Sequence, residues 1–159
     1  MTRKQAAMGF RDEACQARLF ELAALSPSQP TLDDICPPGQ TVTFEGRNTL
    51  PVFSRFKKVF FHPPGEARLI GYNRQCTGIF TGPGYYQVTR RVNGVLDFDY
   101  TKLPAIQPKG FPRLTPNVGG IGGLVYGGLR DDVAALTKNI LIGRARKESQ
   151  TIGYFILAR

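Results

Sequence analysis

The alternation of apolar and polar residues changes its period near residue 40. Before that point, apolar side chains recur at the spacing of an amphipathic helix, in the order Cys15, Leu19 and Leu22, flanked by Phe20 and Ala23. Pro27 ends this segment because proline cannot continue the backbone hydrogen-bond ladder. The pattern predicts one helix over residues 10–25, which lies against the following sheet or plugs its end. Residues 26–40 contain four prolines and are predicted to form a surface linker.

After residue 40 the period becomes two, which is typical of strands with one buried face. Short runs of this kind, separated mostly by Gly or Pro, occupy residues 41–45, 56–61, 67–73, 85–92, 95–100, 123–129, 139–146 and 151–159. Strands do not alternate with helices, so a parallel doubly wound sheet is disfavoured. The pattern predicts a mainly β fold, an antiparallel calycin- or lipocalin-like β-barrel of about eight strands over residues 41–159 with an N-terminal α-helix. The whole chain, 1–159, is predicted to form one domain.

Asn93-Gly94 between two apolar runs predicts a β-hairpin with a two-residue type I′ turn. This turn pairs Val92 with Val95 and Arg90 with Asp97. One face then carries Tyr85, Leu96, Phe98 and Tyr100, and the other carries Val88, Arg90, Asp97 and Asp99. The charged face is either exposed to solvent or forms a polar patch inside the open end of the barrel.

The glycine-rich segment 117–128 does not meet the requirements of a phosphate-binding loop. It lacks a Gly-Lys-Ser/Thr ending, and Val125 stands where the third glycine of G-x-G-x-x-G is needed. Glycines in barrel strands instead permit coiling and the close approach of another element, and they can leave room for a ligand.

Charge adds a second partner hypothesis. Lys and Arg number 21 against 12 Asp and Glu, for a net charge of +9, with basic zones at 47–74 and 101–159. Basic residues interleave with aromatic ones over 53–61, the pattern that a single-stranded nucleic-acid platform uses. Lys109-Gly110-Phe111-Pro112 matches only the first three positions of an RNA-recognition signature. An anionic small molecule is the other partner that the charge favours.

The chemistry of the chain is limited by its single histidine. Sites with three His, or with two His and a carboxylate, are excluded, and a nucleophilic triad could use only His62, which lies in a predicted turn. The three cysteines, Cys15, Cys36 and Cys76, form no C-x-x-C motif and indicate buried free thiols in a reducing compartment. We therefore predict no metal and no cofactor.

Charged residues interrupt the N-terminal region before an apolar run can form, and no stretch approaches the length of a membrane span. With Met1 as the start, the sequence predicts a cytoplasmic protein that does not enter membranes; a dimer is compatible with it.

Four segments resemble bacterial GXWXG-type proteins, which are lipocalin-like: 44–51 (FEGRNTLP), 56–60 (FKKVF), 124–129 (LVYGGL) and 153–159 (GYFILAR). The chain has no Trp, so the Trp positions of that family are not matched. The resemblance implies a barrel with an interior cavity and assigns no catalytic residue.

The leading functional prediction is a barrel that holds a small, largely apolar ligand with an anionic or carbonyl end. Candidate ligand-binding residues are Tyr72, Arg74, Tyr86, Phe98, Tyr126 and Arg144, with the two arginines as anion contacts. The first alternative is a cofactor-free cyclase or isomerase of natural-product metabolism in the same cavity. Its acid–base candidates are Glu45, Asp97, Asp99 and Tyr100. The second alternative is a single-stranded nucleic-acid-binding barrel.

Overall fold

The computed structural model describes residues 12–49, 54–74, 82–117 and 120–159. These residues form helices α1 (Glu13–Ala24), α2 (Leu32–Ile35) and α3 (Gly120–Tyr126). They also form the strands β1 (Thr41–Asn48), β2 (Arg55–Phe61), β3 (Leu69–Arg74), β4 (Tyr85–Arg90), β5 (Leu96–Asp99), β6 (Leu129–Thr137), β7 (Ile140–Lys147) and β8 (Gln150–Ala158). No helix in the described ranges is long and apolar enough to cross a membrane.

The eight described strands form one closed antiparallel barrel in sequence order. Each strand pairs with the next, and β8 pairs with β1, where Gly46 lies opposite Leu157. The predicted antiparallel barrel with an N-terminal helix is therefore confirmed. Alternate residues of every strand point inward, and the interior is filled mainly by apolar side chains, among them Phe44, Phe60, Leu69, Val88, Phe98, Val133, Leu141 and Leu157.

Glycines on the inner face let aromatic rings lie against the backbone. Each of these glycines stands directly across a strand pair from the ring that covers it: Gly46 under Phe56, Gly71 under Tyr86 and Gly143 under Phe155. A Cβ atom at Gly143 would lie 2.1 Å from the Phe155 ring, far inside van der Waals contact. Glycine is thus required at these positions for steric reasons.

The barrel end at the start of β1 is closed by helix α2 and the residue after it. Leu32, Ile35 and Cys36 are buried in the main core. Thr31 and Asp34 form a capping box that fixes the start of the helix, and Arg159 donates hydrogen bonds to the carbonyl of Ile35 at 2.7 Å. The predicted surface linker over 26–40 was therefore wrong in part, because it contains a helix that seals the core.

Helix α3 lies at the opposite end of the barrel. The predicted strand over 123–129 was wrong, since residues 120–126 are helical and β6 begins at Leu129. In a strand, Leu124 and Tyr126 would face the same side. The helix instead leaves Leu124 75% exposed and places Tyr126, at 1% exposure, inside the barrel.

Helix α1 lies against the outer face of β6, β7 and β8, so the predicted helix over 10–25 is confirmed over Glu13–Ala24. The predicted apolar stripe was wrong in part: Leu19 packs against the sheet, as do the flanking Phe20 and Ala23, but the other two positions do not. Cys15 is exposed and Leu22 is 53% exposed. The buried face of the helix is rotated by one residue from the predicted one and consists of Gln16, Phe20 and Ala23. Phe20 and Ala23 pack against Ala134 of β6 and Ile142 of β7.

The β4–β5 hairpin differs from its prediction by one residue. Thr89 pairs with Asp97 and Arg90 with Leu96, and the Arg91 N–H donates to the Val95 carbonyl at 2.9 Å. The loop thus has three residues and ends on Gly94 at φ +84°, the geometry of a type I turn followed by a bulge.

The Asn93 side chain accepts a hydrogen bond from the Val95 N–H at 3.2 Å, which supports this longer turn. As a result Val88 lies opposite Phe98 in the interior, whereas Tyr85 packs on the outer face. Both residues had been predicted on the other face.

We expect Gly143→Ala to destabilise the protein by about 1–3 kcal/mol, because the added methyl group collides with the Phe155 ring. Urea denaturation measures the change. In the Phe155→Leu variant, which lacks the ring, Gly143→Ala should lower the free energy of unfolding by a clearly smaller amount. An equal cost in both backgrounds would show that the ring contact is not the cause.

Candidate functional site

A cavity of about 120 Å³ lies inside the barrel at the end that carries α3. Its wall is mostly apolar and includes Phe56, Tyr126, Leu129 and Phe155. Four polar residues of this wall are connected by hydrogen bonds, and we call them the interior polar cluster: Lys58, Asn73, Tyr100 and Asp131. All four belong to residues that are buried from solvent.

Strand alternation brings the interior polar cluster together from four parts of the chain. Lys58 lies on β2 between the inward-facing Phe56 and Phe60, directly opposite Asn73 of β3. Tyr100 follows β5, and Asp131 lies on β6 opposite Phe98. The cluster therefore depends on the register of several strand pairs and not on a local motif.

The ammonium group of Lys58 has three hydrogen-bond acceptors, one for each of its protons. It donates to Asn73 Oδ1 at 3.1 Å, to Asp131 Oδ2 at 3.1 Å and to the Tyr100 hydroxyl. The Tyr100 hydroxyl in turn donates to Asp131 Oδ2 at 3.1 Å and accepts from Asn73 Nδ2 at 3.0 Å. Tyr100 is thus shared by the amine and the carboxylate.

Burial acts on both members of the Lys58–Asp131 ion pair. It lowers the pKa of Lys58, and the charge of Asp131 only partly opposes this shift. It also raises the pKa of Asp131, against the opposing charge of Lys58. Both shifts favour the neutral forms, so the free energy of moving a proton from Lys58 to Asp131 is smaller than it would be in water.

Aromatic rings surround the Lys58 ammonium. Cation–π contact is strongest when the cation has lost its water. The distances from Nζ to the ring centroids are 4.7 Å for Tyr86, 5.1 Å for Phe98, 5.1 Å for Tyr100, 5.2 Å for Phe155 and 5.7 Å for Phe56. Three of these rings are the ones seated on interior glycines: Phe56, Tyr86 and Phe155.

Four of the residues singled out from the sequence lie in this interior. Tyr100 and Tyr126 line the cavity and stack in parallel with ring centroids 5.6 Å apart. Tyr86 and Phe98 stack on each other beneath Lys58, with centroids 5.2 Å apart. The structure therefore brings these four together, and Tyr100 alone among the predicted acid–base residues is with them.

The remaining predicted site residues lie on the outside of the barrel. Tyr72 packs in an outer aromatic cluster against Tyr85 and Phe111. Arg74 is exposed at the end of β3. Glu45 is exposed on β1, where it forms an ion pair with Lys57.

Asp97 and Asp99 are on the outer face of β5. Asp97 pairs with Arg91 at 2.9 Å and with Arg130. Asp99 accepts a hydrogen bond from the backbone N–H of Thr101 at 2.9 Å. Their carboxylates are thus already paired, on the opposite side of the sheet from the cavity.

Arg144 belongs to a neighbouring ionic cluster on β6 and β7 that centres on Asp132. The buried Asp132 carboxylate accepts from Arg144 at 2.8 Å and from Arg146 at 2.7 Å, and it pairs with Arg91 at 2.8 Å. Burial alone would raise the pKa of Asp132, but the hydrogen bonds from Arg146 and Arg144 and the charges of the nearby arginines outweigh it and hold the pKa below its usual value. The cluster therefore ties β7 to β6 and to the β4–β5 hairpin.

Lys58, Asn73 and Asp131 were not predicted as site residues. A signal was present, because Lys58 alternates in phase with Phe56 and Phe60, and Asp131 alternates in phase with Leu129 and Val133. A charged residue on the apolar face of a strand is rare unless it is paired. The sequence did not show that these two residues pair with each other.

Cys36 and His62 are buried and belong to the packing around helix α2. Cys36 is buried as predicted, Cys15 is exposed, contrary to prediction, and Cys76 lies outside the described residues. His62 is buried, and its two ring nitrogens contact the carbonyls of Cys36 at 2.9 Å and Glu66 at 2.8 Å. It therefore connects the end of β2 to the turn after α2.

The basic strand β2 does not offer the aromatic platform of a single-strand binder. Phe56 and Phe60 point into the barrel, and Phe61 packs against Phe111. The prediction also included Phe53, which lies outside the described residues.

The chain matches no model of a known protein family and no curated protein sequence.

Lys58→Met should destabilise the protein by about 3–5 kcal/mol, because it leaves the Asp131 carboxylate buried without its partner. The double variant Lys58→Met/Asp131→Leu should be more stable than Lys58→Met, since it removes both charges. Denaturant unfolding of the wild type, Lys58→Met, Asp131→Leu and the double variant measures the cycle. The matched control is Lys57→Met, whose exposed ion pair with Glu45 contributes less than about 1 kcal/mol. Additive effects of the two interior substitutions would contradict the buried pair.

Asp132→Asn should lower the free energy of unfolding by about 2–3 kcal/mol at neutral pH. This value allows for the partial exposure of the arginine partners of Asp132. The folded pKa of Asp132 lies below its unfolded value, so this stabilisation is present in full above the unfolded value and is lost as pH falls through the folded one. The stability gap between wild type and variant should narrow below about pH 4. Unfolding curves from pH 7 to pH 2.5 test this, with Glu21→Gln, in an exposed ion pair, as the control. If the difference in free energy of unfolding between wild type and Asp132→Asn is the same at every pH, the ionised Asp132 carboxylate is not the cause of that difference.

Proposed function

We propose that the barrel interior binds a small, neutral organic molecule that is largely apolar and carries a carbonyl oxygen. The observation that carries this proposal is the interior polar cluster, a set of buried hydrogen-bonding groups in the wall of an otherwise apolar cavity. Binding sites for small molecules commonly combine an apolar wall with a few convergent polar groups.

The volume of the cavity limits the ligand to about the size of one six-membered ring. An engineered apolar cavity of about 150 Å³ admits benzene, and the cavity here measures about 120 Å³. Phe56, Leu129 and Phe155 offer apolar contact for such a ring.

The charges in the cavity wall favour a neutral ligand over an anion. The positive charge of Lys58 is already compensated by Asp131 at 3.1 Å. A carboxylate in the cavity would lie near the Asp131 carboxylate in a medium that screens poorly, and this repulsion opposes its binding. A carbonyl oxygen, by contrast, adds no charge, and it can replace one of the present acceptors of Lys58 Nζ or of the Tyr100 hydroxyl.

Access to the cavity is on the side of α3. The wall there includes Asn48, Val125 and Tyr154, which are half-buried, and Ile152, which is 38% exposed. The cavity is therefore partly open to solvent at this end, where a small molecule can enter.

A cofactor-free isomerase is the second candidate function, and one observation favours it. Lys58 Nζ and Asp131 Oδ2 lie 3.1 Å apart beside the cavity, and burial lowers the pKa of Lys58 and raises that of Asp131, so the proton donor and the proton acceptor are closer in strength than in water. With Tyr100 polarising a carbonyl, Asp131 would remove a proton from the adjacent carbon and return it elsewhere. Turnover of a ketone with exchangeable α-hydrogens, followed by deuterium incorporation, separates this activity from binding alone.

Ala145→Leu should abolish binding because Ala145 lines the cavity and the larger side chain fills it. With cyclohexanone at ten times its dissociation constant, the melting temperature of the wild type should rise by about 3–6 °C. The control Ala158→Leu, at an exposed position near the end of β8, should keep this response. Binding would be excluded if neither cyclohexanone nor other ring-sized neutral carbonyl compounds raise the melting temperature of the wild type.

A further inference from the structure

We propose that Lys58 forms a covalent imine with an aldehyde or unhindered ketone held in the interior cavity, a step that rests on the proposed binding function. Among the described residues that line the cavity, Lys58 carries the only primary amine. Its side chain is 2% exposed, and the groups that hold Nζ also line the cavity. A carbonyl group bound there is therefore held next to the amine.

Imine formation needs a neutral amine, and the structure supplies the base that produces it. Asp131 Oδ2 lies 3.1 Å from Nζ and can take one ammonium proton. Burial lowers the pKa of Lys58 and raises that of Asp131, so both shifts favour this transfer. Lysines in desolvated pockets act as nucleophiles for the same reason.

The protons and electrons of the reaction balance within the interior polar cluster. The Nζ lone pair forms the N–C bond while the carbonyl π electrons move to oxygen, which receives the proton of Asp131 through the Tyr100 hydroxyl. The nitrogen of this carbinolamine then returns a proton to Asp131. In the last step the C–O bond breaks, the oxygen takes that proton and leaves as water, and the nitrogen lone pair forms the C=N bond. The products are a protonated imine, the Asp131 carboxylate and one water molecule, so no oxidant or reductant is needed.

The product keeps the electrostatics of the site unchanged. A protonated imine carries the same positive charge as the ammonium that it replaces, beside the same Asp131 carboxylate. The rings of Tyr86, Phe98 and Phe155, whose centroids lie 4.7 to 5.2 Å from Nζ, contact either cation. The apolar wall also limits access of the water that would hydrolyse the imine.

Reductive trapping tests the proposal. The full chain is incubated with benzaldehyde and cyanoborohydride, which converts an imine into a stable benzylamine, and the labelled lysines are found by peptide mass spectrometry. We expect one benzyl group per chain on Lys58, with labelling about tenfold or more above that of the adjacent Lys57, because the bound carbonyl is held against Nζ of Lys58. Lys58→Arg should lose the label, and the matched variant Lys57→Arg should retain it.

The melting temperature and the labelling of Lys58 together show whether the compound fails to bind or binds without forming an imine. Benzyl alcohol has the same ring but cannot form an imine, and its effect on the melting temperature reports binding alone. If both compounds raise the melting temperature but the label is spread evenly over surface lysines, the imine proposal is overturned and binding stands. If neither compound raises it and Lys58 is unlabelled, both proposals fail. The labelling ratio of Lys58 to Lys57 in the wild type decides the question even if Lys58→Arg does not fold.

Discussion

An ammonium group inside a barrel must be compensated, and the arrangement of the interior follows from that requirement. Removing either ion of the Lys58–Asp131 pair from water costs several kcal/mol, which their mutual attraction offsets only if their remaining hydrogen bonds are also satisfied. Asn73 and Tyr100 provide those hydrogen bonds. The same four groups line the cavity, so the interaction that the fold must accommodate also sets the polarity of the cavity wall.

The aromatic rings around Lys58 depend in turn on the backbone beneath them. Three of these five rings, those of Phe56, Tyr86 and Phe155, fit where they do because the facing residue has no side chain, at Gly46, Gly71 and Gly143. Each glycine–ring pair spans two adjacent strands, and together they extend from β1 to β8. The environment of one lysine is thus encoded in cross-strand neighbours that are far apart along the chain.

The sequence predicts the barrel well because its signals are local. Period-two alternation and Gly or Pro between runs mark the strands β1 to β5, β7 and β8 almost as they occur. Alternation also separates Asp97 and Asp99 from Phe98 and Tyr100, but it does not tell which face points inward. The predicted register of the β4–β5 hairpin was wrong because Asn93-Gly94 is compatible with a two-residue turn and also with a three-residue turn followed by a bulge. Lys58 and Asp131 lie 73 residues apart, so their pairing is visible only once the strands are assembled.

The barrel closes by pairing β1 with β8, so its completion depends on strands from opposite ends of the described barrel. Thr49 and Tyr154, which are 105 residues apart, are joined by hydrogen bonds where these strands meet. Contacts of such long sequence separation form slowly, because much of the chain must be ordered before they are made. During synthesis, β2 leaves the ribosome well before β6, so Lys58 exists first as an ordinary hydrated lysine. Its pKa falls only when the later strands bury it, and β6 brings Asp131 beside it at that stage.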